Sequence, residues 1–204
     1  IVLCLVGSEM CIRDSGADVD LIRTGSLYHD VGKLHAPNWF IENQKDGPNP
    51  HDSLDDPQAS AAVLQAHVDE GLKLARRHRL PRPIADFIPE HQGTLKMGYF
   101  LHKARERDPG VDESRFRYRG PAPRSRETAV LMLADGCEAA LRSLPPDTSD
   151  EQARDTVRRI VESRQRDGQL SKSTLSRSEV ELVVRAFVQA VSYTHLRAHE
   201  TQDD

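Results

Sequence analysis

This chain is short of several things. Its 204 residues hold three cysteines, Cys4, Cys11 and Cys137, with no CxxC pair. No disulfide framework is written into it, and a reducing compartment is expected. No stretch approaches the about 18 consecutive apolar residues that cross a bilayer. Neither sign of charge dominates: 28 lysines and arginines face 32 aspartates and glutamates, for a net charge of −4. That removes any general attraction for a nucleic-acid polymer or an anionic membrane, so a phosphate-bearing ligand must be held locally. Strand-like alternation, internal repeats and low-complexity tracts are missing as well.

What is present begins with a question about the two ends. Leu5–Ser15 (LVGSEMCIRDS) can be encoded by a DNA whose reverse complement, read from its third base, gives VSYTHLRAHE, which is Val191–Glu200. Two ends of one chain should not be opposite-strand readings of the same DNA. Residues 1–15 and 191–204 are therefore expected to be a translated sequencing adapter, and 16–190 the domain proper. On this expectation the chain is a fragment that lacks its first helix. Cys137 is then its native cysteine, and His195 and His199 drop out of any metal site.

Between those ends, the apolar residues follow a helical period, and the expected fold class is all-α. A first helix is expected over 18–34, then a Pro-, Asn-, Gly- and Asp-rich loop to residue 56. Asp56-Pro57 supplies an N-cap and a first helical position, opening a helix to about Arg79. Pro81 and Pro83 open a helix toward His91 that Gly93 ends, and a further helix spans 95–107. A long loop, 109–124, precedes a helix over 126–144, where Val130, Leu133, Ala134, Cys137, Leu141 and Leu144 share a face. Ser149 with Gln152, and Ser176 with Glu179, have capping-box spacing and open helices over 150–166 and 177–190.

The chemistry concentrates in Tyr28-His29-Asp30-Val31-Gly32-Lys33. Read as a helix, His29 and Asp30 stand about 100° apart around its axis and converge on one side. Lys33, four residues after His29, shares its face and can place an ammonium beside a phosphate oxygen. Gly32 permits close approach to the backbone. Asp135, in the apolar run Ala129–Ala134, is costly unless paired or bound to metal. His67 and His91 are the remaining imidazoles in helical settings. Imidazole and carboxylate together suit Mn, Fe or Zn better than Mg or Ca. A pair of such ions can activate water and stabilise both the attacking and leaving oxygens of a phosphoester. The other histidines read more plainly: His78 and His102 as surface residues, His35 and His51 as loop residues. The arginine-rich stretch 115–126 is either a solvated loop or a phosphate and base contact.

The order His-Asp, His, His, Asp in an all-α chain resembles the HD-domain metal phosphohydrolases, whose fold is a helical bundle. It is most similar to the cytoplasmic HD domain of seven-transmembrane, PgpH-like phosphodiesterases of cyclic di-AMP. The strings that carry the likeness are GSLYHDVGKLHAPNWFIENQ, NPHD, IPEHQGT, YFLHKA, FRYRGPAP, ETAVLMLADGCEAALRSL and DGQL. The resemblance implies two divalent ions, Mn or Fe, with Asp30 bridging them. His29 and Asp135 would bind one ion, and His67 and His91 the other. Asp30 and Lys33 would be the catalytic residues, Lys33 stabilising the phosphate as water attacks phosphorus in line and the ring opens to pApA. Asn43, Asn49, Tyr99 and Tyr118 would border the substrate. It also implies a bacterial parent anchored in the cell membrane through a region outside this chain, with this domain in the cytoplasm and a homodimer as an open possibility.

Departures from the pattern accompany it. Gln92 stands where many relatives carry a second histidine, and Arg119 where proline is common. A further ligating histidine on a helix before Gly16 is expected in the parent, so this chain is expected to bind its first ion weakly and to turn over little. Other readings are an HD phosphohydrolase of cyclic di-GMP or of a nucleoside triphosphate, and a nucleotide-sensing HD module without turnover. The lack of a GYP signature argues against the cyclic di-GMP group, and intact His29, Asp30, Lys33 and Asp135 argue against the sensor.

Overall fold

Helical periodicity carries through to the tertiary structure. A computed structural model describes residues 13, 15–44, 48–145 and 147–200, with side chains described as far as residue 190. Cys4, Cys11 and most of the two terminal segments lie outside the described residues. Among the described residues there is no strand, only an isolated antiparallel bridge between Lys96 and Arg117. The α-helices are α1 (Val19–Tyr28), α2 (Pro50–Leu54), α3 (Pro57–Arg77), α4 (Arg82–Ala85), α5 (Phe87–Glu90), α6 (Gly98–Arg107), α7 (Arg126–Arg142), α8 (Asp150–Arg166) and α9 (Arg177–Glu200). Short 3-10 turns cover Val31–His35, Pro37–Trp39, Ile41–Asn43 and Glu113–Phe116.

The chain forms two compact units, one of residues 27–121 and one of residues 1–26 with 122–204. The second unit packs α7 against α8 and α8 against α9. Its core joins Ile22, Val130, Leu133, Ala134, Cys137, Val157, Val183 and Phe187. The α7 face expected from the sequence is there, with Leu141 and Leu144 packed half-buried at its edge. Burial goes beyond one face, however, since Leu131 and Met132 are also fully enclosed. Both expected capping boxes form: Gln152 N–H donates to Ser149 Oγ at 3.3 Å, and Ser176 N–H donates to Glu179 at 2.7 Å. Ser125 and Thr128 add a third at the start of α7. The last helix runs on from the expected end at 190 to Glu200.

The unit 27–121 is built on α3. Asp56 caps it, accepting from the backbone N–H groups of Gln58 and Ala59 at 2.9 and 3.0 Å, with Pro57 at the first helical position. Against α3 lie the 3-10 turn 31–35, α5 and α6. Ala61, Met97, Leu101, Ala104 and Phe116 form the local core. Two expectations are corrected here. The first helix stops at Tyr28 rather than continuing to residue 34, and the described residues of 35–56 are not a plain loop but include two 3-10 turns and α2.

The reason for the early stop is steric. The turn 31–35 lies directly on the backbone of α3: a Cβ on Gly32 would stand 1.8 Å from the His67 carbonyl oxygen and 2.5 Å from Gly71 N. A regular helix with side chains all round cannot come that close. The chain leaves helical geometry after Tyr28, turns through Asp30 (φ −104°, ψ 12°) and lays Gly32 on a stripe where α3 presents His67, Gly71 and Ala75.

Candidate metal centre

Three backbone devices deliver the site residues. His29 and Asp30 follow the last turn of α1, Asp30 serving as the N-cap residue of the turn 31–35. His67 sits mid-α3 on its buried stripe. His91 caps the C-terminal end of α5, a single turn whose four residues are all buried. His29, His67 and His91 are 4%, 3% and 1% exposed, while the Asp30 side chain keeps 25%. The imidazoles are thus walled in, and the carboxylate is the member that faces solvent.

The donor atoms converge. His29 Nε2 lies 3.0 Å from Asp30 Oδ2, His91 Nε2 lies 3.4 Å from Asp30 Oδ1, and His67 Nε2 lies 3.6 Å from the same oxygen. The Nε2 atoms of His67 and His91 are 3.4 Å apart. One donor atom each from His29, Asp30 and His91 falls within a common 4.8 Å. Two atoms that each lie about 2.1 Å from a shared ion stand about 3.0–3.4 Å apart at tetrahedral or octahedral angles. The spacing would suit a ligand set.

The proton inventory points the same way. His67 Nδ1 is 2.5 Å from the Leu64 carbonyl, and His91 Nδ1 is 2.8 Å from that of Ile88 and 3.1 Å from that of Phe87. A carbonyl only accepts, so each of these Nδ1 atoms carries a proton, and Nε2 is the ring nitrogen turned toward the site. Burial, helped by His91, pushes His67 down to about 3, which keeps its ring neutral. Burial alone would raise Asp30, but its close approach to His29 and His91 outweighs it and holds the carboxyl well below its usual range. With a cation among them, the same Nε2 atoms could offer lone pairs, and the ionised carboxylate would balance part of the ion's charge. The second nitrogen of each ring, fixed by a main-chain carbonyl, is the outer support that ligating histidines use.

Lys33 reaches the site by a different route from the one expected. It shares no helix face with His29. From the 3-10 turn, its ammonium lies 2.7 Å from Asp30 Oδ2 and bonds Glu42 as well. Burial would lower its pKa, yet the charge and hydrogen bonds of Asp30 and Glu42 raise it, so it stays protonated. Around this group, Phe40 meets His67 edge-on at 5.6 Å and Tyr118 meets it at 6.0 Å between ring centres. A mostly apolar cleft of about 220 Å³ opens beside His67, walled by Gly32, Ala36, Trp39, Phe40, Val63 and Ala66. A wider cleft of about 640 Å³, walled by Leu144, Thr148, Asp155 and Arg159, belongs to the other unit and holds none of the converging imidazoles.

The remaining residues singled out from sequence fall in varied places. Asp135 is on α7, in the other unit, half-buried, and its charge acts on Arg164. Asn43 is exposed at the end of the turn 41–43. Asn49 caps α2, its side-chain oxygen accepting from His51 N–H at 3.1 Å. Tyr99 is 60% exposed on α6, with the Lys103 ammonium 4.6 Å from its ring centre. His51 is in α2 rather than a loop, and its Nε2 lies 3.0 Å from the Trp39 carbonyl. His35 is in a 3-10 turn and exposed, and His78 and His102 are exposed as expected. The arginines of 115–119 are engaged within the protein: Arg115 with Gln58, Arg117 with Glu113 and the Thr94 carbonyl, Arg119 with Asp69. Sequence reasoning passed over Glu42. Nothing in its spacing from Lys33 follows a helical or strand period, and its one signal is being a carboxylate in a loop close after a lysine.

Comparison with known proteins places these observations in context. The family model of the HD domain matches residues 5–140. An uncharacterized protein of Synechocystis sp., slr0104, is 47% identical over 199 residues, covering 95% of this chain and 24% of that protein. The cyclic-di-AMP phosphodiesterase PgpH of Bacillus subtilis is 36% identical over 178 residues, covering 87% of this chain and 25% of that protein. The crystal structure of the Listeria monocytogenes PgpH HD domain in complex with cyclic-di-AMP superposes with a TM-score of 0.89 at 32% identity, covering 94% of this chain and 89% of that one. The chain spans about a quarter of the length of the curated relatives it matches.

Proposed function

The chain belongs to the HD-domain family, and from that premise we propose that it is the catalytic part of a metal-dependent phosphodiesterase that opens cyclic di-AMP to linear pApA. The observation that carries the reading is the Asp30 carboxylate, with imidazole Nε2 atoms converging on it and the Lys33 ammonium on one of its oxygens. The likeness to a PgpH HD domain in complex with cyclic-di-AMP supports the choice of substrate.

His29, Asp30, His67 and His91 would hold divalent ions, Mn or Fe, two in number. The donor set fits such ions, since borderline imidazole nitrogens and a hard carboxylate meet at ligand spacing. When bound, they supply Lewis acidity toward the phosphate and lower the pKa of water. The chain's own groups do the rest. The buried imidazoles fix the donor directions and keep bulk water from the inner side of the site. Asp30 presents its charge at the solvent-facing edge, where a phosphodiester must arrive. Lys33 puts a permanent positive charge beside the non-bridging phosphate oxygens as negative charge builds on them. The apolar cleft beside His67 and the ring of Tyr118 offer flat surfaces to a base, while Asn43, Asn49 and Tyr99 belong to the outer border of the substrate.

In this reading residues 16–190 are the working domain, held in the cytoplasm by a membrane-anchored parent. No described helix is long and apolar enough to cross a membrane.

The test is to give the full-length protein Mn and challenge it in parallel with cyclic di-AMP, cyclic di-GMP and a nucleoside triphosphate. Release of pApA from the first alone is expected. Turnover of another nucleotide in its place would reassign the substrate, and tight binding without any product would make this a sensor.

A further inference from the structure

Asp30 and Lys33 are not the whole of the polar group at the mouth of the site. Lys33 is gripped from two sides, by Asp30 Oδ2 at 2.7 Å and by Glu42, and its ammonium also lies 5.1 Å from the centre of the Phe40 ring. The three polar side chains keep 25%, 20% and 33% exposure for Asp30, Lys33 and Glu42, so the group is shielded without being sealed. The two carboxylates are not equivalent. Asp30 faces the three imidazoles with both oxygens and is the group an ion would claim. Glu42 has no imidazole near it among its contacts, and its contact with Lys33 does not compete with the ligand set.

The carrier of Glu42 is built to stay put. The turn 41–43 is closed by Asn43 N–H to the Phe40 carbonyl at 2.9 Å and Gln44 N–H to the Ile41 carbonyl at 3.2 Å. Phe40, 6% exposed, anchors it edge-on against His67, and His51 fixes the preceding turn through the Trp39 carbonyl. A lysine side chain carries about 2 kcal/mol of rotamer entropy. One carboxylate that is also a metal ligand cannot be relied on to hold it once its charge is drawn to the ions. A second, fixed carboxylate can.

We propose that Glu42 is a positioning residue of this site: it holds the Lys33 ammonium at the edge of Asp30, where an arriving phosphate needs it. This deepens the phosphodiesterase reading and rests on it. Glu42 touches no reacting atom and acts only through Lys33. Lost positioning should appear in the chemical step more than in substrate capture, because the charge matters most as the transition state forms.

The experiment has two readouts. In the full-length Mn-loaded protein, Glu42→Ala should lower kcat about tenfold, the scale of one charge-assisted hydrogen bond, with KM shifting by less than about twofold. Glu42→Gln, which keeps an oxygen acceptor, should recover part of the loss. In a Lys33→Ala background, Glu42→Ala should cost nothing more. Independently of turnover, the 15N spectrum of the lysine ammonium groups of the metal-free chain should show a slowly exchanging Lys33 signal that Glu42→Ala abolishes. An undiminished kcat, an undiminished Lys33 signal, or a further loss in the Lys33→Ala background would each overturn the role of Glu42. Absence of cyclic di-AMP hydrolysis by the unsubstituted protein would instead overturn the functional reading, leaving the ammonium spectrum to decide the positioning by itself.

Discussion

His67 shows how one buried side chain ties the site to stability. Burial pushes its pKa from the usual 6.5 to about 3, so between those values the unfolded chain binds a proton that the folded chain refuses. Stability from this residue is therefore fully present above about pH 6.5 and is lost as pH falls toward 3. At pH 5 the metal-free protein should be less stable by about 2 kcal/mol than at neutral pH on this account. Urea unfolding at pH 7.5 and pH 5 should show that difference, and His67→Gln should flatten it. A pH profile that His67→Gln leaves unchanged would remove this account of the residue. The candidate residues His29, Asp30, His67 and His91 were legible in the sequence because imidazole and carboxylate are the donor types that divalent ions of this kind take. The partner of Lys33 was not, since Glu42 comes into reach only through the path of an irregular segment.

At the scale of the element, one glycine governs whether the site is assembled, and one cap governs only how stable α3 is. Gly32→Ala forces a Cβ into the His67 carbonyl, a backbone atom that cannot swing away. It should cost about 3 kcal/mol or more and displace Asp30 from the imidazoles, so metal affinity should fall with stability. A variant that melts and binds Mn like the parent would show that the turn 31–35 does not depend on this contact. Asp56→Ala should lower stability by about 1 kcal/mol through loss of the α3 cap, with metal affinity nearly unchanged. Denaturant midpoints and Mn titration separate the two variants. The α3 start was readable because Asp-Pro is a local signal and the cap is a local hydrogen bond. The end of α1 was not. The residues of 29–34 suit a helix well enough, and what breaks it is the backbone of α3, which is far away in sequence.

At the scale of the whole molecule, a bound ion should act as a staple for the fold as well as a reagent. A ligand at about a hundred times its dissociation constant adds about 2.7 kcal/mol to stability. For a chain of this length that is a rise in Tm of about 5–10 °C. Mn should raise Tm by that order, a chelator should reverse it, and Asp30→Asn should abolish it. A Tm indifferent to Mn in the unsubstituted protein would speak against the cluster as a metal centre. The all-α class, the helix-opening caps, the buried face of α7 and the kinds of side chain offered to the candidate site were determined by the sequence itself, since each depends on local hydrogen bonding, on a period of apolar residues, or on side-chain chemistry. Only the tertiary structure decided that His29 and Asp30 leave the helix, which ring nitrogens carry protons, and that Lys33 is shared with Glu42. Those outcomes depend on close approach between segments distant in the chain, and a side chain's partner across such a gap leaves no periodic trace in the order of residues.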